Sequence, residues 1–359
     1  MNIKSPDYIF PNLEQNKISI IEEFNLIKKN NLELEKKIEF MKKKLEELDS
    51  KINGNYEVME YINSGGSALV YKLLNKISKK YIAAKIILKD NYEKNIINEI
   101  IILKKVKNKY IINYYSSTNK DELYFIFMEH ANFGSLIDFQ HKIIKRNYLS
   151  ESFLCFISYQ ILKGLKYLHT IKIVHFDVKP QNILINEYLD IKITDFSISK
   201  DYSKINSKEI KLDKRGTGYY MAPEVIQEKT INIKDLNKVD LYSLGVTLYK
   251  LAFGCNPFGI KNNDIKNDDL LLDKILNGPI LENEDNYFSE CFIDFIKRLL
   301  EPDINNRINI NEALNHYWIL GSEILYNEKE KMFNATNFLS YLISDHFKNF
   351  DDYIKGKME

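Results

Sequence analysis

The chain has 359 residues with 51 basic and 50 acidic side chains, a formal net charge of +1, which excludes a strongly basic nucleic-acid binder or an acidic tail protein. A hydrophobic share of 45% is that of a globular protein, and at roughly 150 residues per domain the length suggests about two compact bodies. No run approaches the about 18 apolar residues of a membrane span, and the start, Met1-Asn2-Ile3-Lys4-Ser5-Pro6, lacks the apolar stretch of a secretory signal. Cys155, Cys255 and Cys291 are widely spaced with no CxxC pair, against both a disulfide framework and a structural zinc site. A reducing, cytoplasmic or nuclear setting is expected.

In chain order, residues 1–15 are polar and punctuated by Pro6 and Pro11, and are expected to be disordered. Residues 16–53 carry a heptad stripe at Ile20, Phe24, Ile27, Leu34, Ile38, Met41, Leu45, Leu48 and Ile52, with Asn31 at the one skipped core place. Two readings stay open. One is a coiled coil in which Asn31 fixes register, so that residues 20–52 bind a second copy or a partner helix. The other is a single amphipathic helix lying on the next domain. In a parallel pair Lys37 would face Lys42, a repulsion, while Lys44 would face Asp49.

Asn53-Gly54-Asn55 is a turn that closes this segment. Residues 56–62 alternate like a strand and run into the glycine turn Ser64-Gly65-Gly66-Ser67, and 69–73 and 81–87 read as further strands. A helix is expected over 93–106 and a short buried strand over 123–128; from about 150 helical patterns dominate. A small sheet first and helices afterwards is an α+β plan in two lobes.

Within this plan chemistry-bearing residues follow in a fixed order. The glycine turn comes first, then Lys85 on a strand and Glu99 on a helix. His175-Phe176-Asp177-Val178-Lys179-Pro180-Gln181-Asn182 follows, then Asp195-Phe196-Ser197, Gly216-Thr217-Gly218 and Ala222-Pro223-Glu224. Such residue types suit the binding of phosphates and a hard metal ion. Backbone amides of small residues can approach phosphates closely, a lysine held by a carboxylate adds fixed positive charge, and Mg2+ takes hard oxygen ligands. As an ordered set these residues resemble the eukaryotic protein kinase superfamily, serine/threonine type, over residues 56–319.

The resemblance implies a small lobe of about 56–131, a larger one of about 132–319 and a helical C-terminal extension over 320–359. It implies ATP with Mg2+, or Mn2+ in its place, and a protein substrate, with neither nucleic acid nor membrane as partner. Ile62, Asn63, Ser64, Gly65, Gly66, Ser67, Ala68 and Val70 would form the loop over the phosphates. Lys85, held by Glu99, would bind the α- and β-phosphates. Asp177 would take or orient the substrate hydroxyl proton, Lys179 would stabilise the transferring phosphoryl group, and Asn182 and Asp195 would hold metal. Thr217 would bridge Asp177 and Lys179. Met128 would be the gatekeeper, with the backbone of Glu129 and Ala131 facing adenine, while Ile62, Val70, Ala83 and Leu184 sandwich the ring. Asp240 would anchor the catalytic loop, and Glu224 would pair with Arg307.

Four positions depart from the family pattern: Asn63 and Ala68 stand where the loop has glycines, Ser197 follows Asp195-Phe196 in place of glycine, and Phe176 replaces an arginine. That arginine ordinarily meets a phosphorylated activation loop, so activity is expected not to depend strictly on such phosphorylation. Ser203 and Ser207 are nonetheless candidate phosphorylation sites. With Ser135 and Gln181 at places that are acidic in arginine-directed kinases, no strict requirement for upstream arginine is expected. The rival reading is a pseudokinase-type scaffold that acts through its fold and N-terminal heptads. The aromatic pattern Phe333, Phe338, Leu339, Leu342, Ile343, Phe347 and Phe350 is expected to pack on the larger lobe, and Trp318, the single tryptophan, is read as core.

Overall fold

The computed structural model describes residues 56–65, 68–89, 93–120, 123–145, 148–260, 265, 267–280, 288–321, 325, 338–340 and 342. The expectations for residues 1–15 and 16–53, and for Gly66 and Ser67 at the loop tip, lie outside them. The chain divides into two compact units, the smaller taking in residues up to Lys89 and Ser116–Met128, the larger Asp90–Tyr115 and all from Glu129 onward. The plan is α+β.

The smaller unit is built on β1 (Tyr56–Gly65), β2 (Ala68–Asn75) and β3 (Tyr81–Leu88). Helix α1 (Glu93–Lys105) follows and belongs to the larger unit, and β4 (Tyr114–Lys120) and β5 (Leu123–Glu129) complete a sheet of order β1-β2-β3-β5-β4. Strand β4 has no sequence signal, because Tyr-Tyr-Ser-Ser-Thr-Asn-Lys lacks apolar alternation. It lies at the sheet edge, where a strand need bury no face. Leu69, Tyr71 and Leu73 of β2, Ile82, Ala84 and Ile86 of β3 and Leu123, Phe125 and Phe127 of β5 make one core, each at a spacing of two that puts them on the same face.

In the larger unit α2 (Glu151–Thr170) carries an almost unbroken buried surface. Short strands β6 (Ile173–Val174), β7 (Ile183–Ile185), β8 (Ile191–Ile193), β9 (Lys200–Asp201), β10 (Glu209–Lys211) and β11 (Thr230–Asn232) pair as β6-β9, β7-β8 and β10-β11. Helix α3 (Lys238–Phe253) is buried nearly all round, as a central helix of a large domain must be, and stops at Gly254 in the left-handed region, φ 74°. Helices α4 (Asp268–Leu276) and α5 (Glu290–Leu299) follow.

Trp318 is core: its rings lie 5.0 and 5.2 Å from Phe292 and Phe295, and its indole Nε1 donates to Glu151 at 2.8 Å. Of the C-terminal aromatic pattern, Phe338 and Leu342 are fully buried, Phe338 edge-on to Phe156 at 5.2 Å, and Ser150 and Ser152 donate to the Leu342 carbonyl. Among the described residues no helix is long and apolar enough to cross a membrane.

Candidate active site

A densely hydrogen-bonded cluster lies in the larger unit, on the loop between β6 and β7. Its anchor is Asp240, fully buried in the first turn of α3. The carboxylate accepts the backbone amides of His175 at 2.9 Å and Phe176 at 2.8 Å and meets His169 Nε2 at 2.9 Å. Phe176 there has φ 66°, a strained value for a non-glycine residue, which these bonds hold in place. The loop is therefore fixed from beneath.

On this support Asp177, 7% exposed, meets three partners. Thr217 Oγ1 donates to Asp177 Oδ1 at 2.6 Å, Lys179 Nζ lies 2.7 Å from Oδ2, and Asn182 Nδ2 donates to Oδ2 at 2.8 Å and to the Asp177 carbonyl at 2.9 Å. Lys179 Nζ also donates to Thr217 Oγ1 at 2.7 Å, closing a ring of hydrogen bonds. Asp177, Lys179, Asn182 and Thr217, separate in sequence, are thus brought together. With its Nδ2 spent on Asp177, Asn182 keeps its amide oxygen, a hard donor suited to a cation.

Asp195 has φ 64°, and the residues that follow it are pinned. Phe196 is buried edge-on to His175 at 5.1 Å, and Asn98 on α1 donates to the carbonyls of Phe196 and Ser199. Ser197 does not adopt a positive φ, so the conformation seen requires no glycine there. Glu99, beside Asn98, is 2% exposed.

Beyond Asp195 the segment is held by β9 against β6 and β10 against β11. Arg215 places its guanidinium 5.3 Å above the Phe176 ring, donates to the Ile198 carbonyl at 3.1 Å and pairs with Asp213. The segment ends at Glu224, whose carboxylate takes both terminal nitrogens of Arg307 at 2.7 and 3.0 Å, with the two side chains 2% and 0% exposed. Arg307 also stacks 4.9 Å over the Tyr242 ring, whose phenol burial pushes above its ordinary pKa.

The remaining candidate residues fall as follows. In the smaller unit the register sets Val70 opposite Lys85 and Lys72 opposite Ala83. Ala68, Val70, Ala83 and Lys85 therefore share the sheet face opposite its apolar core. Ile62 sits at a β-bulge between Tyr61 and Asn63, and β1 runs on to Gly65, beyond the expected end at 62. Met128 ends the smaller unit and is buried. In the larger unit Glu129 accepts from Asn113 and pairs with the buried Lys192 at 3.1 Å, Ala131 is buried, and Leu184 on β7 bridges to Ser135.

Sequence reasoning missed His169, Asn98, Lys192 and the ring contact of Arg215, all of which act through folded neighbours. Among the described residues no group of three or more His, Cys, Asp or Glu side chains gathers as a metal cage.

The Protein kinase domain family model matches residues 56–319. The chain is 33% identical over 278 residues to "Serine/threonine-protein kinase dst2" of Dictyostelium discoideum, covering 77% of this chain and 23% of that protein. It is 33% identical to "Serine/threonine-protein kinase cds1" of Schizosaccharomyces pombe, over 74% of this chain and 58% of that one. To "Myosin light chain kinase A" of Dictyostelium discoideum it is 32% identical, over 74% and 88%. The chain spans 23%, 34% and 50% of the first three relatives it matches. With its two-lobed α+β fold and its ordered set of motif residues, the chain belongs to the protein kinase domain family.

Proposed function

We propose that this chain is a serine/threonine protein kinase that moves the γ-phosphoryl group of ATP to hydroxyls of a protein substrate. The observation that carries the reading is the ring formed by Asp177, Lys179, Asn182 and Thr217, because phosphoryl transfer asks a protein for positioning and charge rather than covalent chemistry. Asp177 receives or orients the substrate hydroxyl proton. Thr217 and Lys179 hold its carboxylate in one orientation, and Lys179 faces the charge of the transferring group. Asp195 and the amide oxygen of Asn182 would hold Mg2+, an ion normally bound by one or two carboxylates together with phosphates, which would supply positive charge against the phosphates. Within the smaller unit Lys85 holds the α- and β-phosphates, with Val70 and Ala83 on its own sheet face toward the base.

In this reading activity does not depend strictly on activation-loop phosphorylation. Support comes from the two strand pairs of that segment and from Arg215 over Phe176, which ties the segment to the catalytic loop without a phosphate. The test is phosphate transfer from γ-labelled ATP to serine- and threonine-containing proteins. Lys85→Met and Asp177→Asn should each lower the rate by about 10²–10⁴-fold while the melting temperature stays close to wild type. Equal background signal from all three proteins would favour the scaffold reading. Loss of activity on phosphatase treatment of wild type would overturn phosphorylation independence.

A further inference from the structure

Helix α3 holds the active site at three levels. Asp240 fixes the amides of His175 and Phe176, Ser243 Oγ donates to the Tyr220 carbonyl at 2.8 Å, and Thr247 Oγ1 donates to the carbonyl of Val178, next to Asp177, at 3.1 Å. Lys250 comes three residues after Thr247, hence on the same face and about 4.5 Å further along the axis. It is the next group beneath the segment that follows Thr217.

The surroundings of Lys250 are aromatic. Its half-buried ammonium donates to Tyr219 Oη at 2.8 Å and lies 5.5 and 5.9 Å from the ring centroids of Tyr219 and Tyr220, which stack on each other at 4.8 Å. Among the described residues no carboxylate pairs with it. Lys214 and Lys179 differ in this, because they meet Asp268 and Asp177. A phenol accepts a hydrogen bond but carries no charge, and an ammonium has three donors, so two remain for another acceptor. The ring faces favour a cation here and leave its charge unneutralised.

Resting on the kinase reading, we infer that Lys250 is a specificity-determining residue that binds an anionic side chain of the protein substrate, an aspartate, a glutamate or a phosphorylated serine. Thr217 bonds Asp177, and Tyr219, two residues on, bonds Lys250; with an extended peptide advancing about 3.3 Å per residue, the anion is expected about two to four residues from the phosphoacceptor. Tyr219 positions the ammonium by its hydroxyl.

The experiment is a positional-scanning peptide library with one fixed phosphoacceptor, including phosphoserine arms, phosphorylated by the full chain and scored as the ratio of kcat/KM for anionic over neutral residues at each place. Wild type should give a ratio of about five to ten at one place in that window, the size of one charge-assisted bond at a half-exposed site. Lys250→Arg should keep the preference, Lys250→Met should bring the ratio to about one, and Lys250→Glu should turn it toward lysine and arginine at that same place. Such an inversion cannot arise from misfolding. The aspartate and phosphoserine arms tell carboxylate from phosphate recognition, and enrichment of either supports the inference. A flat wild-type profile with clear transfer overturns the inference alone, as does a preference unchanged by Lys250→Met or Lys250→Glu. Absence of any transfer by wild type overturns the kinase reading and the inference with it.

Discussion

The acidic side chains beneath the active site and those on or beside the outer activation segment are handled in opposite ways. Asp177, Asp240 and Glu224 are 7%, 0% and 2% exposed, and each carboxylate accepts more than one hydrogen bond from elsewhere in the chain, Glu224 taking both of its bonds from Arg307. Asp201, Asp213 and Asp268 on the outside pair with Lys105, with Lys200 and Arg215, and with Lys214, at positions open to water. For Asp201 and Asp213 partial burial pushes the carboxyl pKa up. Hydrogen bonds from Lys105 and Ser203 in one case, and from Arg215 in the other, outweigh it and hold both below the ordinary range. Buried acids fix geometry, because an ion taken out of water must be fully satisfied in one arrangement. Outer acids only bias the segment's conformation.

The sharpest way to break the comparison is at Arg307. Arg307→Met leaves Glu224 buried without its counter-ion and should cost about 3–5 kcal/mol in chemical denaturation. The double variant Glu224→Gln with Arg307→Met should be less destabilised than Arg307→Met alone, since the stranded charge is gone. A single-variant loss below about 1 kcal/mol would mean that the pair is satisfied by water and that burial is not the distinguishing property.

What can be read from the residues follows the same division. The buried acids stand in short motifs whose partners are also motif residues, so the contacts of Asp177 with Thr217 and of Glu224 with Arg307 are legible in the sequence itself. Helix α3 is legible in part, from Asp240-Leu241-Tyr242-Ser243-Leu244-Gly245. The strands β6, β9, β10 and β11 are not, because two or three residues cannot display a period and their pairing is set by tertiary neighbours. Phe176 marks the boundary. Its identity announces a missing guanidinium, but nothing local announces that Arg215, thirty-nine positions on by residue number, places one over the ring from the other side.

A smaller effect is expected where buried and outer regions meet. Phe176→Arg replaces the ring under Arg215 with a second guanidinium, removing a contact worth about 0.5–2 kcal/mol and adding repulsion. Without phosphate on the segment, kcat/KM should fall about three- to tenfold. Phosphorylation of Ser203 or Ser207 should recover part of it, whereas wild type should respond little. The measurement is the ratio of kcat/KM before and after phosphatase treatment for each protein. Equal ratios would mean that the Arg215–Phe176 contact does not couple the segment to the catalytic loop.

The smallest effect belongs to Lys214 and Asp268. The ammonium touches both carboxylate oxygens at 2.5 and 2.6 Å, a closer approach than Lys105 makes to Asp201 or Lys200 to Asp213, yet the side chains are 40% and 48% exposed. Distance alone would rank this contact above the Glu224–Arg307 bonds. Solvent reverses the ranking: water screens an exposed pair, and holding a long lysine in one rotamer costs entropy that the attraction barely offsets. Lys214→Ala should therefore cost no more than about 0.5 kcal/mol, and that small loss should fade further at about 1 M salt, where the screening length falls to about 3 Å. The Arg307→Met loss should persist under the same salt, because no ions enter a side chain that is 0% exposed. A Lys214→Ala cost that rivals Arg307→Met, or one that salt leaves untouched, would show that the outer segment is fixed as rigidly as the buried floor.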